Sequence, residues 1–485
     1  ILRLGDIQKR EKAMNRFATT NSDAGRESGL PEELNNSREK ILAYSGLPSE
    51  QAHLFTAYLE DYKRIQGDYR ADREIRRLTG LLTTMFFEIY GLVARKVLQE
   101  KNPGRIYKMF LHYGFMDEEL AGKENTLILY EMVDATLPDG KYAVYNGQDW
   151  LGKIMDREKE PSVNDFGLDY QDMFREKKKR GELFDKDKAS YDEDLDGRLD
   201  HEIGSMFKMG QRMCCGRASD FFPIFHQGMV IGDLSKSLVT PQRIEESMNR
   251  ILQVDFSALH RETVYSNPEK GIRQELIMQV VRPDIILMPV FGAEGVMWQS
   301  LSGKLMNSPG RFLFPIFSAA NQDELMIDTV AKFRWELSRA LSAYSLSDYQ
   351  EGSLVGDYSS YIQFYKKNRD LSSDAKDKLK VQIERKRNNT ADVFAFDYST
   401  WVLYESRGML RMNKVAREIL FKHCPFSRPI RDSLEKQPLF SQFIRQFENI
   451  RARQARLLEA RYSKLQRSGI ELDPELEDNL LYYQS

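Results

Sequence analysis

From Glu74 to Lys101 apolar residues fall at Ile75, Leu78, Leu82, Met85, Phe86, Ile89, Val93 and Val97. This three-and-four spacing puts them on one face of a helix several turns long. A stripe so continuous has to be buried against other elements, so the chain must build a core around a long helix. Asn102-Pro103-Gly104 supplies the stop. The same periodicity returns in ELMIDTVAKFRWELSRALSAY (Glu324–Tyr344) and LFSQFIRQFENIRARQARLLEARYSKLQ (Leu439–Gln466), with shorter helical pairs expected over Tyr358–Arg385 and Ala391–Phe421. The most apolar run, LLTTMFFEIYGLVA (Leu81–Ala94), is flanked by Arg and Lys. It is shorter than the roughly 18 residues a transmembrane helix needs, so it reads as a buried core helix and no transmembrane segment is expected.

Strand signals sit between the helical parts, within Asn249–Ser318. DIILMPVF (Asp284–Phe291) and RFLFPIF (Arg311–Phe317) are short apolar runs bounded by Gly or Pro, and LIMQVV (Leu276–Val281) fits either helix or strand. A further short strand is expected near Lys141–Tyr145, after a turn at Pro138-Asp139-Gly140. The expected fold is an α-dominated multidomain α+β protein, with helical N- and C-terminal regions around a small α/β or mixed-sheet region. The segments expected are a helical N-terminal domain (1–155), a charged linker with an acidic loop (156–200) and a mixed α/β region (201–320). A helical domain (321–436) and a basic amphipathic helix with its tail (437–485) follow. The 485 residues allow two to four domains, each with its own core. No repeat of fixed period is present.

A hydrophobic fraction of 41%, a charged fraction of 30% and only 16 prolines argue against wholesale disorder. The formal net charge of −2 gives no global attraction to nucleic acid or to anionic membrane. Cys214, Cys215 and Cys424 make no disulfide framework, and all three are expected to be unpaired and unreactive in a reducing, cytoplasmic compartment. The chain opens on Ile1 rather than Met, which reads as a piece of a longer protein.

The stretch YDEDLDGRLDHEIG (Tyr191–Gly204) is the densest run of metal-type ligands. Aligned on a calcium loop of EF-hand type, Asp192, Asp194 and Asp196 take positions one, three and five, Gly197 the sharp turn, Leu199 the apolar position and Asp200 position nine. The closing bidentate Glu is missing: Ile203 stands there, and Glu202 is one residue early. Asp192, Asp194, Asp196 and Asp200 are therefore candidate ligands for weakly held Ca2+, against the plainer reading of an acidic cap on a helix starting near Leu199–Glu202. The three aspartates are expected to converge beside a turn at Gly197. His201-Glu202 begins a zinc-hydrolase pattern, but Ser205 occupies the place of its second His.

Other motifs are incomplete. None of the cysteines has an Arg at the spacing of a phosphatase loop; Arg431 follows Cys424 one residue late. FGAEGVMW (Phe291–Trp298) ends a strand but lacks the spacing of a phosphate loop, leaving Gly292–Gly295, with His226, His260 and Glu262, as a candidate small-molecule pocket at a strand end. The last long helix carries Arg451, Arg453, Arg456, Arg461, Lys464 and Arg467 against Glu459, a pattern suited to a partner, a membrane or an ordinary surface. Nucleic acid is the least expected partner, because few aromatics are interleaved with the basic residues.

DYSSYIQFYKKNRDLS (Asp357–Ser372) and LRMNKVAREILFKHCPF (Leu410–Phe426) are similar to uncharacterised regions of large bacterial signalling proteins. With no complete catalytic motif, the function expected is a non-catalytic regulatory or scaffolding segment acting through protein–protein contacts, with no obligatory cofactor. The alternatives are a ligand binder or enzyme using Gly292–Gly295, or a calcium-responsive helix-loop-helix at Asp192–Asp200.

Overall fold

The periodic stretch after Glu74 forms a helix over Asp72–Gln99, and Leu78, Leu82, Phe86, Ile89, Val93 and Val97 are all buried along one face. The computed structural model describes residues 31–134, 140–213, 224–230, 232–298, 301, 305, 308–342 and 352–484. Helices dominate it, with small sheets in the middle of the chain, so the fold is an α-dominated α+β arrangement. Helices at Gln322–Ser342, Thr390–Leu403 and Pro438–Arg467 fall where the periodicity puts them. No helix among the described residues is long and apolar enough to cross a membrane.

The strands are β1 (Phe115–Met116), β2 (Val144–Tyr145), β3 (Ile224–Phe225), β4 (His260–Asn267), β5 (Ile272–Val280), β6 (Asp284–Gly292), β7 (Val296–Met297) and β8 (Arg311–Ser318). Most strand residues lie in the expected middle region; the two-residue β1 and β3, paired in parallel with each other, lie outside it. The central sheet has the order β2-β6-β8-β7, with the first three strands parallel and β7 antiparallel to β8. Nearly every residue of β6 and β8 is buried, because helices cover the sheet, and this accounts for their unbroken apolar sequence. The β6–β8 register slips after Met288, which pairs with Pro315, and Pro289 follows at once. Two residues without an N–H cannot continue the ladder, so a bulge absorbs them. LIMQVV becomes part of β5, in a separate antiparallel hairpin with β4.

One apolar core runs from Leu34 to Ile444 and takes in residues from every segment expected from the sequence except the tail. A second, smaller cluster joins the hairpin to the chain end through Ile272, Ile277, Tyr462 and Leu476.

The charged segment is also anchored. Its first residues, Lys159–Val163, run past the N-terminal ends of β6 and β8 and are held there by side chains. Arg198 donates to the Lys159 carbonyl at 3.4 Å and Arg311 to the Glu160 carbonyl at 2.6 Å. The Trp298 indole donates to Val163 at 2.9 Å. Glu202, buried, accepts from the Ser162 backbone at 2.5 Å and hydroxyl at 2.8 Å. Lys159 ion-pairs with the buried Asp284 at 3.0 Å. The Arg311 guanidinium lies 4.7 Å from the centre of the Trp150 ring, and burial lowers its pKa from the usual Arg value. Polar groups this deep are tolerated because each is bonded to another.

Candidate functional site

The acidic stretch does not close around a point. Asp192 lies in a short helix, Lys188–Glu193, where its carboxylate meets Lys188 at 2.5 Å and Gln171 at 2.9 Å. Asp194 is the N-cap of the next helix, Leu195–Gly210, and accepts from the Gly197 N–H at 2.9 Å. Asp196 and Asp200 both turn to Arg95. The expected turn at Gly197 and a helix start near Leu199 are corrected: the helix starts four residues earlier, because Asp194 caps it and leaves Gly197 in the first turn. Glu202 points inward to the network around Ser162. Among the described residues, no group of three or more His, Cys, Asp or Glu side chains is placed to hold a metal ion.

At the strand end, packing explains the glycines of the FGAEGVMW stretch. A Cβ on Gly292 would sit 2.9 Å from Met213, and one on Gly295 would sit 2.4 Å from Phe314. The backbone of Ala293 and Glu294 donates to the Met213 carbonyl. The space where a ligand would approach is therefore occupied by the protein. His226 follows β3, with Nδ1 3.0 Å from where a Gly228 Cβ would be, whereas His260 opens β4 against Tyr482. Nothing among the described residues brings the two histidines together. Cys214 and Cys215 lie outside the described residues; Cys424 is free and buried.

The structure instead opens a cavity in a place that no motif marks. It lies between the β4–β5 hairpin and the terminal helix, Pro474–Gln484. The hairpin turns through Pro268–Lys270 to Gly271, whose φ of 72° is one that glycine adopts without strain. Asp473 ties the helix start to that turn, accepting from Lys270 at 2.7 Å, from Asn267 at 3.1 Å and from Tyr265. Midway, Asn479 accepts from the Met278 N–H at 2.9 Å and donates to Tyr462 at 3.0 Å. At the far end the Tyr482 carbonyl accepts from Arg451. That guanidinium lies 4.8 Å from the centre of Phe256, 5.2 Å from Phe447 and 4.7 Å from Tyr482. Arg451 is thus an internal cation under aromatic rings, while Arg453, Arg456 and Arg467 on the same helix are exposed.

The cavity between these ties measures about 430 Å³ and is lined by Phe256, His260, Ile277 to Val280, Arg282, Glu475, Asp478, Leu481 and Tyr482. The size falls in the range of small-molecule sites, roughly 300–1,000 Å³. Burial, with Arg334, Arg451 and Arg282 nearby, pushes His260 down to about 4, so its imidazole is neutral near pH 7. Its Nδ1 is buried and has no hydrogen-bond partner among the described residues. Behind His260 stands a closed polar network. Arg334 donates to the His260 carbonyl at 2.6 Å and to Ser257 at 3.1 Å. Asp255 accepts from Ser257 at 2.7 Å and from Tyr398 at 2.8 Å. Arg334 also donates to the His423 carbonyl at 2.5 Å, so these groups hold the backbone behind His260 in place.

Sequence reasoning missed Arg282, Glu475, Asp478 and Tyr482, which stand nearly two hundred residues apart without motif spacing. The apolar run Leu276–Val281, interrupted only by Gln279, was the available signal, since a strand outside the main sheet leaves an edge to be covered.

Residues 343–482 match a family described as "Domain of unknown function (DUF8509)". The match takes in the Thr390–Leu403, Lys414–His423 and Pro438–Arg467 helices and all but the last residues of the terminal helix, and so one wall of the cavity. No curated protein and no solved structure matches the chain.

Proposed function

We propose that this chain is a non-catalytic regulatory module, cytoplasmic and working through protein contacts, in which a small ligand between the β4–β5 hairpin and the terminal helix sets how the two are held. The observation that carries the reading is the cavity of about 430 Å³ walled by two segments distant in sequence. A ligand there touches both, so its binding free energy goes into holding them together. The groups lining the cavity suit binding, with Arg282, Glu475 and Asp478 for charge and Phe256, Ile277 and Leu481 for apolar contact. A protein partner is favoured by the outer face of the hairpin, where Val264 and Leu276 sit directly opposite each other and are 46% and 55% exposed. The net charge of −2 disfavours nucleic acid as that partner.

The test is a thermal-shift screen of small polar compounds on the full chain, followed by hydrogen exchange with each compound that raises Tm. The reading expects slowed exchange in both 256–282 and 474–484. Compounds that stabilise the chain yet protect only other segments would refute it.

A further inference from the structure

Resting on the reading of the cavity as a ligand site, we infer that its ligand is a short linear peptide with free ends, bound extended along the open edge of β5. The edge follows from the ladder. Met278 gives its N–H to Asn479 rather than to β4, so the Met278–Glu262 pair is one that exchanges no hydrogen bonds. Antiparallel pairs alternate, so Leu276 and Val280 likewise turn N–H and C=O away from β4. Asn479 occupies the edge at Met278 only. Val280 and the Met278 carbonyl remain beside the cavity, where an added strand would pair.

The charges select the ends. Arg282 and the two carboxylates Glu475 and Asp478 all line the cavity, and none makes a hydrogen bond or ion pair among the described residues. Their neighbours are engaged: Asp473 holds Lys270, and Glu275 meets Arg461 at 3.3 Å. The terminal helix runs beside β5 from the hairpin turn toward its base, so the carboxylates lie toward one end of the cavity and Arg282 toward the other. Met278, level with Asn479, is four residues from Arg282, about 13 Å in an extended chain, and the Arg side chain reaches back along part of that. An extended tripeptide spans about 10 Å. Its ammonium would meet Asp478 and Glu475, and its carboxylate Arg282. Phe256, Ile277 and Tyr482 offer apolar contact to its side chains.

Calorimetry on the full chain with trialanine and trileucine, each as the free peptide, the N-acetyl form and the C-amide, tests this. Both free peptides should bind more tightly than either blocked form, by about tenfold or more, the worth of a charge-assisted hydrogen bond. Arg282→Gln should remove the preference for the free acid while leaving the C-amide unchanged, and Asp478→Asn should reduce the preference for the free amine. The C-amide serves as the folding control for R282Q. Absence of binding at millimolar peptide, or equal binding of free and blocked forms, overturns the inference. If a non-peptide compound still protects 256–282 and 474–484 in the exchange experiment, the cavity stands as a ligand site and only the peptide class fails.

Discussion

The indole N–H of Trp150 donates to a carboxylate oxygen of Glu202 at 2.6 Å, and neither side chain has measurable exposure to solvent. The same carboxylate takes both hydrogen bonds from Ser162, and Ser162 in turn accepts from Arg311. A buried charge held this way favours the native state only while all its partners remain. Glu202→Ala would leave an indole N–H, a backbone N–H and the Ser162 hydroxyl without their acceptor, and would take a nearby counter-charge from Arg311. It is expected to lower stability by about 3–5 kcal/mol, and Glu202→Gln, which keeps one acceptor, by less. Urea unfolding of both variants measures the difference; an E202A loss below that of an ordinary surface substitution would show that the network is slack.

Asp397 gives a pH dependence of unusual sign. Its carboxylate accepts from Tyr358 at 2.6 Å and from Gln382 at 2.9 Å, yet burial outweighs these bonds and pushes its pKa up to about 6. The unfolded value is about 3.9. Between the two, the native state binds more protons than the unfolded chain, so this group's stabilisation is complete below about pH 4 and is lost as pH rises through 6. Two pKa units correspond to about 3 kcal/mol. Asp397→Asn has no such group, so its stability relative to the native chain should improve by that order between pH 4 and pH 7. Urea midpoints that keep a constant difference across this range would count against the burial of a charge there.

The helices and the two apolar strands were legible because their signal is local. Eight apolar residues from Ile75 to Val97 need no distant partner to announce a helix, and β6 and β8 declare burial on both faces by lacking polar residues from Ile285 to Phe291 and from Phe312 to Phe317. The anchoring of the charged segment was hidden because composition reports the solvated side only. Nothing in DREKEP marks Lys159 and Glu160 as residues whose carbonyls are held by Arg198 and Arg311. The cavity was illegible for the same reason: His260 and Tyr482 meet only after the chain end folds back across the hairpin.

Cys424 should be chemically quiet. It is buried, burial pushes its thiol up to about 12, and its carbonyl accepts from Trp401 at 2.9 Å within the shared core. The thiolate is the reactive form, so little of it exists at neutral pH. Cys424 is expected to label with a maleimide only at the rate of unfolding, and mass spectrometry of native and denatured protein reads this site directly. Labelling within seconds under native conditions would place it at a functional surface.

The acidic stretch yields the last prediction, because the cap and the calcium loop demand opposite things of Asp194. As a cap, its carboxylate accepts from the Gly197 N–H and satisfies one of the donors that every helix start leaves open. Asp194→Ala is then expected to cost about 1 kcal/mol with or without calcium. As a calcium ligand it would have to turn away from that N–H, while Asp192 left Lys188 and Asp196 and Asp200 left Arg95. The ion's attraction must exceed the sum of those exchanges, with no bidentate Glu at Ile203 to help. Calorimetry with millimolar CaCl2 is therefore expected to give no saturable heat for the native chain or for D194A. A sub-micromolar Kd abolished in D194A would mean that the four aspartates rearrange around the ion, and that the helix starting at Leu195 is only the metal-free form.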